Sequence, residues 1–283
     1  MPRRLLLLLL LALSLVASAS AVPAVIRMVP DDPTAASSGA VDDADSLFCD
    51  SWRLSVETAN AGPWLAVPAR CGDFVRDYME GPRYASDSAV AAADALAFAS
   101  DSLAAAAEWG GSASARPAWV FDVDETLLSN APYYAVNGWG KSIAIVLAFP
   151  LIFSRSLEFN ETSFDEWADA AKAPTLPPSL NLYNQLQGLG FHIILLTGRI
   201  EFQRNATESN LLSAGYNSWE KLILRQPSDI GKTAVQYKSE RRAAMEAEGF
   251  KILGNSGDQW SDLIGSPMAT RSFKLPNPMY FIS

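Results

Sequence analysis

Histidine is nearly missing from this chain: His192 is the single one in 283 residues. A three-His zinc site, a His-rich dinuclear centre and a hydrolase pairing a His nucleophile with a second His are therefore excluded. Basic residues are the minority, 22 Lys and Arg against 31 Asp and Glu, for a net charge of −9. The electrostatic footprint that nucleic-acid binding requires is absent, so no nucleic-acid partner is expected. Long apolar runs are missing too, since none reaches the ~20 residues of a bilayer span. Cysteine is limited to Cys49 and Cys71. That even pair would bridge in an oxidising compartment, with two free buried thiols as the alternative. Hydrolytic chemistry here has to run on carboxylates, Lys, Ser, Thr or a metal held by oxygen.

What is present is a globular balance, 49% apolar and 19% charged, with length for one elaborated domain or two small ones. Arg3 and Arg4 precede the apolar run Leu5 to Val16 and the small residues Ala17 to Ala21. This reads as a signal peptide over 1–21, cut after Ala21 or after Ala19, with an uncleaved anchor as the alternative. Asn160-Glu161-Thr162 and Asn205-Ala206-Thr207 are glycosylation acceptor patterns. The expected route is secretory, to the extracellular space, the cell wall or the vacuole, with no stable span in the mature chain.

Residues 22–45, rich in Ala, Ser, Asp and Pro, read as a flexible leader. Residues 46–111 read as a helical extension that encloses the Cys pair. It ends in an Ala-rich helix from Asp87 to Trp109, capped by Ser86 or Asp87 and stopped by Gly110-Gly111. Beyond it, over 112–283, apolar runs alternate with helical stretches. The runs are Ala118 to Phe121, Phe191 to Leu196, Lys221 to Leu224, Phe250 to Leu253 and Arg271 to Leu275. Helices are expected over Pro178 to Leu189, Glu201 to Ala214 and Tyr237 to Glu248. The fold class is α/β, a Rossmann-like parallel sheet covered by helices on both faces, with a small cap region over about 131–177.

In such sheets ligands bind beyond the carboxyl ends of the strands. The first run leads into Asp122-Val123-Asp124-Glu125-Thr126, the second into Thr197-Gly198-Arg199, and the fourth into Gly257-Asp258-Gln259-Trp260-Ser261-Asp262. Asp122 and Asp124 project to one side of an extended strand end. Asp258 and Asp262 share a face if a helix begins there. Four carboxylates converging at one edge would repel one another without a cation, and an all-oxygen set suits Mg²⁺. Each motif alone has a bland explanation: a solvated turn for Asp-x-Asp, a strand-to-helix turn for Thr-Gly, a helix cap for Asp258. The ordered set is what carries the signal.

Phe121-Asp122-Val123-Asp124-Glu125-Thr126-Leu127-Leu128 resembles the first motif of the haloacid dehalogenase-like phosphohydrolases. Leu195-Leu196-Thr197-Gly198-Arg199 resembles their second, and Gly257 to Asp262 their fourth. The third motif is a lysine, Lys238 rather than Lys232 on spacing. More narrowly, Phe48 to Ser283 is similar to plant class B acid phosphatases and vegetative storage proteins, including Phe164-Asp165-Glu166-Trp167 and the tail Phe273 to Tyr280. The resemblance implies a Mg²⁺-dependent acid phosphatase acting on small phosphomonoesters through an aspartyl-phosphate, with a homodimer left open. It implies Asp122 as nucleophile, Asp124 as acid then base, and Thr197 and Lys238 as phosphoryl ligands. The metal set would be Asp122, the Asp124 carbonyl, Asp258 and, through a water, Asp262. Glu125 is read as structural, Arg199 as the partner of a carboxylate, and His192 as a packed core residue. The alternative is a storage protein on the same scaffold with little turnover; the complete site favours the enzyme.

One stretch departs from the resembled family. The eleven apolar residues Ile143 to Phe153, interrupted by Pro150, interpose between Tyr133–Gly140 and Glu158-Phe159. A cap extension, a membrane-touching loop and intron-derived sequence are the three readings. Deleting Ser142 to Leu157 is predicted to raise soluble yield; an aggregated, inactive product would refute this.

Overall fold

The computed structural model describes residues 38–108, 116–139 and 161–282. The segment read as a signal peptide, most of the leader, Gly110-Gly111, Asn160 and the Ile143–Phe153 run lie outside those residues. The chain separates into two compact units, 1–44 and 45–283. Of the first, only the opening of helix α1 is described; the second holds everything below.

The nine described α-helices are α1 (Ser38–Glu57), α2 (Gly72–Glu80), α3 (Pro82–Glu108), α4 (Ala131–Asn137), α5 (Glu161–Asp169), α6 (Pro177–Gly188), α7 (Arg204–Ser213), α8 (Ala234–Ala247) and α9 (Trp260–Leu263). The strands are β1 (Arg116–Phe121), β2 (His192–Ile200), β3 (Lys221–Arg225), β4 (Phe250–Gly257) and β5 (Arg271–Lys274). They form one parallel sheet in the order β3-β2-β1-β4-β5.

Central strand β1 is apolar on both faces, as a doubly covered parallel strand must be. Trp119 and Phe121 pack on one side with Phe98 of α3, Tyr183 of α6 and Leu211 of α7. Ala118 and Val120 pack on the other with Tyr237 and Met245 of α8. Trp119 also dictates a glycine on its neighbour: a Cβ at Gly254 would sit 2.4 Å from the indole ring. The register aligns Phe121 with Leu195 and with Ser256, so the segments after β1, β2 and β4 emerge together at one edge. β1 lies between β2 and β4, which places the switch point of the sheet at that edge.

Several boundaries differ from the sequence expectation. α1 begins at Ser38, inside the stretch read as leader, and buries Cys49 and Val56 further along. α3 begins at Pro82 rather than at Asp87. Proline is favoured in a first turn, where its missing N–H would have no partner. His192 is not a core residue: it is half-exposed at the start of β2, 3.1 Å from Glu220 and edge-on to Phe250. The stretch 131–177, read as a cap, contains α4 and α5 among its described residues. Among the described residues no helix is long and apolar enough to cross a membrane.

Cys49 and Cys71 are bridged, joining α1 to the turn before α2 with Cα atoms 5.4 Å apart. The bridge closes a loop of 22 residues. Replacing both cysteines by Ser is expected to cost about 3 kcal/mol of stability. Urea unfolding of the two proteins measures it, and an unchanged midpoint contradicts it.

Candidate active site

Strand β1 ends at Phe121, and Asp122 follows with its N–H donating to the Ser256 carbonyl at 3.0 Å. That bond ties the first motif to β4 and brings Asp122 beside the fourth. The carboxylates of Asp122, Asp258 and Asp262 each place an oxygen within 4.8 Å of the others, and all three residues are buried. The expected helical face for Asp258 and Asp262 is not how they meet. α9 is only four residues long and starts after Asp258. Asp262 instead folds back over its N-terminus, accepting the Gln259 N–H at 2.9 Å.

Lys238, on the buried face of α8, donates from Nζ to Asp122 Oδ1 and to Asp262 Oδ1, both at 2.5 Å. Lys232 serves elsewhere, bound to Asp229 at 2.9 Å and Glu240 at 2.5 Å. Burial lowers the Lys238 ammonium, but Asp122 and Asp262 outweigh it and hold it charged. Burial pushes Asp122 well above the usual carboxylate range; Lys238 opposes this and the neighbouring carboxylates add to it. Burial and the charge of Asp262 raise Asp258 to about 6. One ammonium among three buried carboxylates leaves excess negative charge in a low-dielectric pocket. An all-oxygen, under-neutralised set of this kind fits a hard divalent cation.

Asp124 lies outside that triad. Its carboxylate takes a forked pair of bonds from Arg199, at 3.1 Å from Nε and 2.8 Å from Nη2, and a third from Asn130 Nδ2 at 2.8 Å. Burial pushes this carboxyl up, but Arg199 and Asn130 win and hold it below its usual value. Arg199 is thus the carboxylate partner that was expected, and its carboxylate is that of Asp124. Thr197 is fully buried within β2, three residues before its end, its hydroxyl oxygen accepting the Arg199 N–H at 3.1 Å.

Glu125 sits in left-handed backbone at φ 52°. Its carboxyl accepts the Asn130 N–H at 2.5 Å and the Tyr280 hydroxyl. Burial, then the charges of Asp258 and Asp124, raise it to about 8. It fastens the motif from beneath, the structural part expected of it. The groups that sequence spacing did not reveal hold Asp258: Thr126 Oγ1 at 3.2 Å, Gln259 Nε2 at 2.8 Å and Asn277 Nδ2 at 2.7 Å. Asn130 is a second omission, braced by Trp167 Nε1 of α5 at 2.8 Å. Thr126, Gln259, Trp167 and Asn277 lie within the short resembled stretches with no role assigned to them, and Asn130 lies outside all of those stretches.

A cavity of about 370 Å³ opens over Asp122, Asp124, Arg199, Lys238 and Asp262, with Phe164 and Ile230 among its apolar walls. A larger one, about 610 Å³, lies by Met79, Tyr84, Ala131 and Pro174 and contains none of the motif residues. Asn205, in the second acceptor triplet, is exposed on α7.

The family model described as HAD superfamily, subfamily IIIB (Acid phosphatase), matches residues 35–283. The chain is 47% identical to acid phosphatase 1 of Solanum lycopersicum over 84% of its own length and 85% of the relative's. It is 36% identical to vegetative storage protein 2 of Arabidopsis thaliana, covering 83% of this chain and 80% of that one. Its fold is similar to the class C acid phosphatase of Bacillus anthracis, with a TM-score of 0.55 at 20% identity over 82% of this chain and 86% of that chain.

The raised carboxyls define a pH dependence. Asp258 at about 6 and Glu125 at about 8 keep protons in the folded chain that the unfolded chain releases near pH 4. The folded state binds more protons across that window, so stability falls as pH rises from about 4.5 towards 8, by up to ~1.4 kcal/mol per pH unit per proton. Asp124 and Asp229, the latter at about 2, act oppositely and lose their contribution only as pH falls below about 4. Melting in EDTA should therefore peak at mildly acid pH and fall by pH 8. A melting temperature that is flat or rising over pH 5–8 contradicts this.

Proposed function

Because the chain belongs to the subfamily IIIB acid phosphatases of the HAD superfamily, we propose that it hydrolyses small phosphate monoesters through a phosphoryl group carried on Asp122. The observation that carries the reading is Lys238 held between Asp122 and Asp262, beside Asp258, at the floor of a cavity of substrate size.

Asp122 attacks phosphorus as the bond to the leaving oxygen breaks, giving an aspartyl-phosphate and an alcohol. Asp124 gives its proton to that leaving oxygen and later takes one from the water that attacks the phosphorus. Lys238 offsets charge on the phosphoryl oxygens, as does a hydrogen bond from Thr197. Asp122, the Asp124 carbonyl and Asp258 would hold Mg²⁺, with Asp262 behind a water. The bound cation supplies charge neutralisation without which a carboxylate meets a phosphate dianion in repulsion. Arg199 keeps Asp124 ionised near neutrality, so the protonated fraction needed for the first step grows as pH falls. Turnover on this reading is favoured by acid. A secretory destination accords with the bridged Cys pair and with the storage-protein relative.

The second reading is storage of amino acids on the same scaffold, favoured by that relative. It leaves the joint presence of Asp122, Asp124, Thr197, Lys238, Asp258 and Asp262 without a purpose. Hydrolysis of para-nitrophenyl phosphate with Mg²⁺ or EDTA, from pH 4 to 8, separates the two. Expected is Mg²⁺-dependent turnover, highest on the acid side, that drops on the order of a thousandfold or more in Asp122→Asn. A folded wild-type chain no faster than Asp122→Asn would shift the assignment to storage.

A further inference from the structure

We propose that Glu57, at the end of α1 and outside the α/β sheet, is a positioning residue for the cation site, acting on Asp258 through Asn277. The proposal rests on the divalent-cation reading above and adds to it a part of the chain that carries none of the four motifs.

Asp258 has no freedom to choose its own orientation. Its Oδ2 accepts from Asn277 Nδ2 at 2.7 Å and from Gln259 Nε2 at 2.8 Å. Asn277 belongs to the tail after β5, where the backbone follows neither helix nor strand, so no ladder sets its place. Glu57 sets it instead. One carboxylate oxygen accepts the Asn277 N–H at 2.9 Å, and the other accepts Lys274 Nζ at 2.7 Å. The Asn277 amide cannot turn over, because its Oδ1 accepts the Met279 N–H at 2.9 Å, which leaves Nδ2 aimed at Asp258.

Glu57 grips the other flank as well. Its backbone carbonyl accepts Trp260 Nε1 at 3.1 Å, two residues beyond Asp258. A single residue thus holds both segments that bracket the aspartate. The Glu57 side chain is only 14% exposed, so these bonds act where water competes weakly. α1 is itself fixed, by the Cys49–Cys71 bridge and by Arg53 on Asp87 of α3 at 3.2 Å. Outer partners that orient a ligating carboxylate typically carry 10- to 100-fold in metal affinity.

The test is calorimetric titration of Mg²⁺ into the full chain, with melting in EDTA as the control for folding. Glu57→Asp keeps the charge but shortens the reach; Glu57→Gln keeps the reach but removes the charge. If Glu57 positions Asp258, both weaken Mg²⁺ binding, Glu57→Asp by about tenfold, while kcat at saturating Mg²⁺ stays near wild type. Wild-type affinity in Glu57→Asp overturns the proposal. So does a loss confined to Glu57→Gln, which would be long-range charge alone. A wild-type chain that takes up no Mg²⁺ defeats the cation reading itself, whereas normal uptake with an indifferent Glu57→Asp defeats only the positioning role.

Discussion

The site depends on one ammonium placed among three buried carboxylates. Lys238 reaches Asp122 and Asp262 together, and Asp258 completes the ring within 4.8 Å. Gathering these groups out of water costs far more than a surface ion pair returns. The rest of the fold can be understood as what meets that cost. A sheet buried on both faces supplies the rigid edge, and α8 presents Lys238 from its packed side. A net of amides from Asn277, Gln259 and Asn130 leaves few carboxylate lone pairs unmatched. The charge that remains unbalanced is what gives the cavity its appetite for a cation and then a phosphate.

The two aspartates of the first motif sit two residues apart and live in opposite electrostatic settings. Asp122 is raised by burial among other carboxylates, while Asp124 is lowered by a forked arginine. The contrast follows from their partners: crowded buried carboxylates around Asp122, a guanidinium and an amide on Asp124. Arg199 is the agent of that division, and its own position is secured by Thr207 at 3.3 Å.

Much of this was legible in the chain before any coordinates. The runs at Ala118, Phe191, Lys221, Phe250 and Arg271 became the five strands. Central β1 and β2 read as apolar stretches because both faces are buried, while edge strands β3 and β5 carry charged residues and are only partly buried. Asp122, Thr197 and Asp258 gathered at one edge because parallel strands end on the same side. Less legible were groups whose meaning depends on partners far away. Nothing local distinguishes Asn277 or Asn130 from any loop asparagine, and an apolar neighbourhood misled the placement of His192, whose ring lies at the opposite end of β2. The opening of α3 lies before the Ser86-Asp87 cap signal, because Pro82 serves as a first-turn residue.

Glu57 and Asn277 are 220 residues apart, and Glu57 and Trp260 are 203 apart. Contacts of that span are the slowest to form, because nearly the whole chain must be ordered before loop closure is rewarded. During synthesis the Asp122 segment, its neighbouring strands and Lys238 all emerge well before the tail. The brace on Asp258 is complete only once α1 and the tail residues have found each other. A nascent or truncated chain would keep most of its core and the acidic ring but not the brace on Asp258, so the tightest hold on a cation belongs to the completed chain.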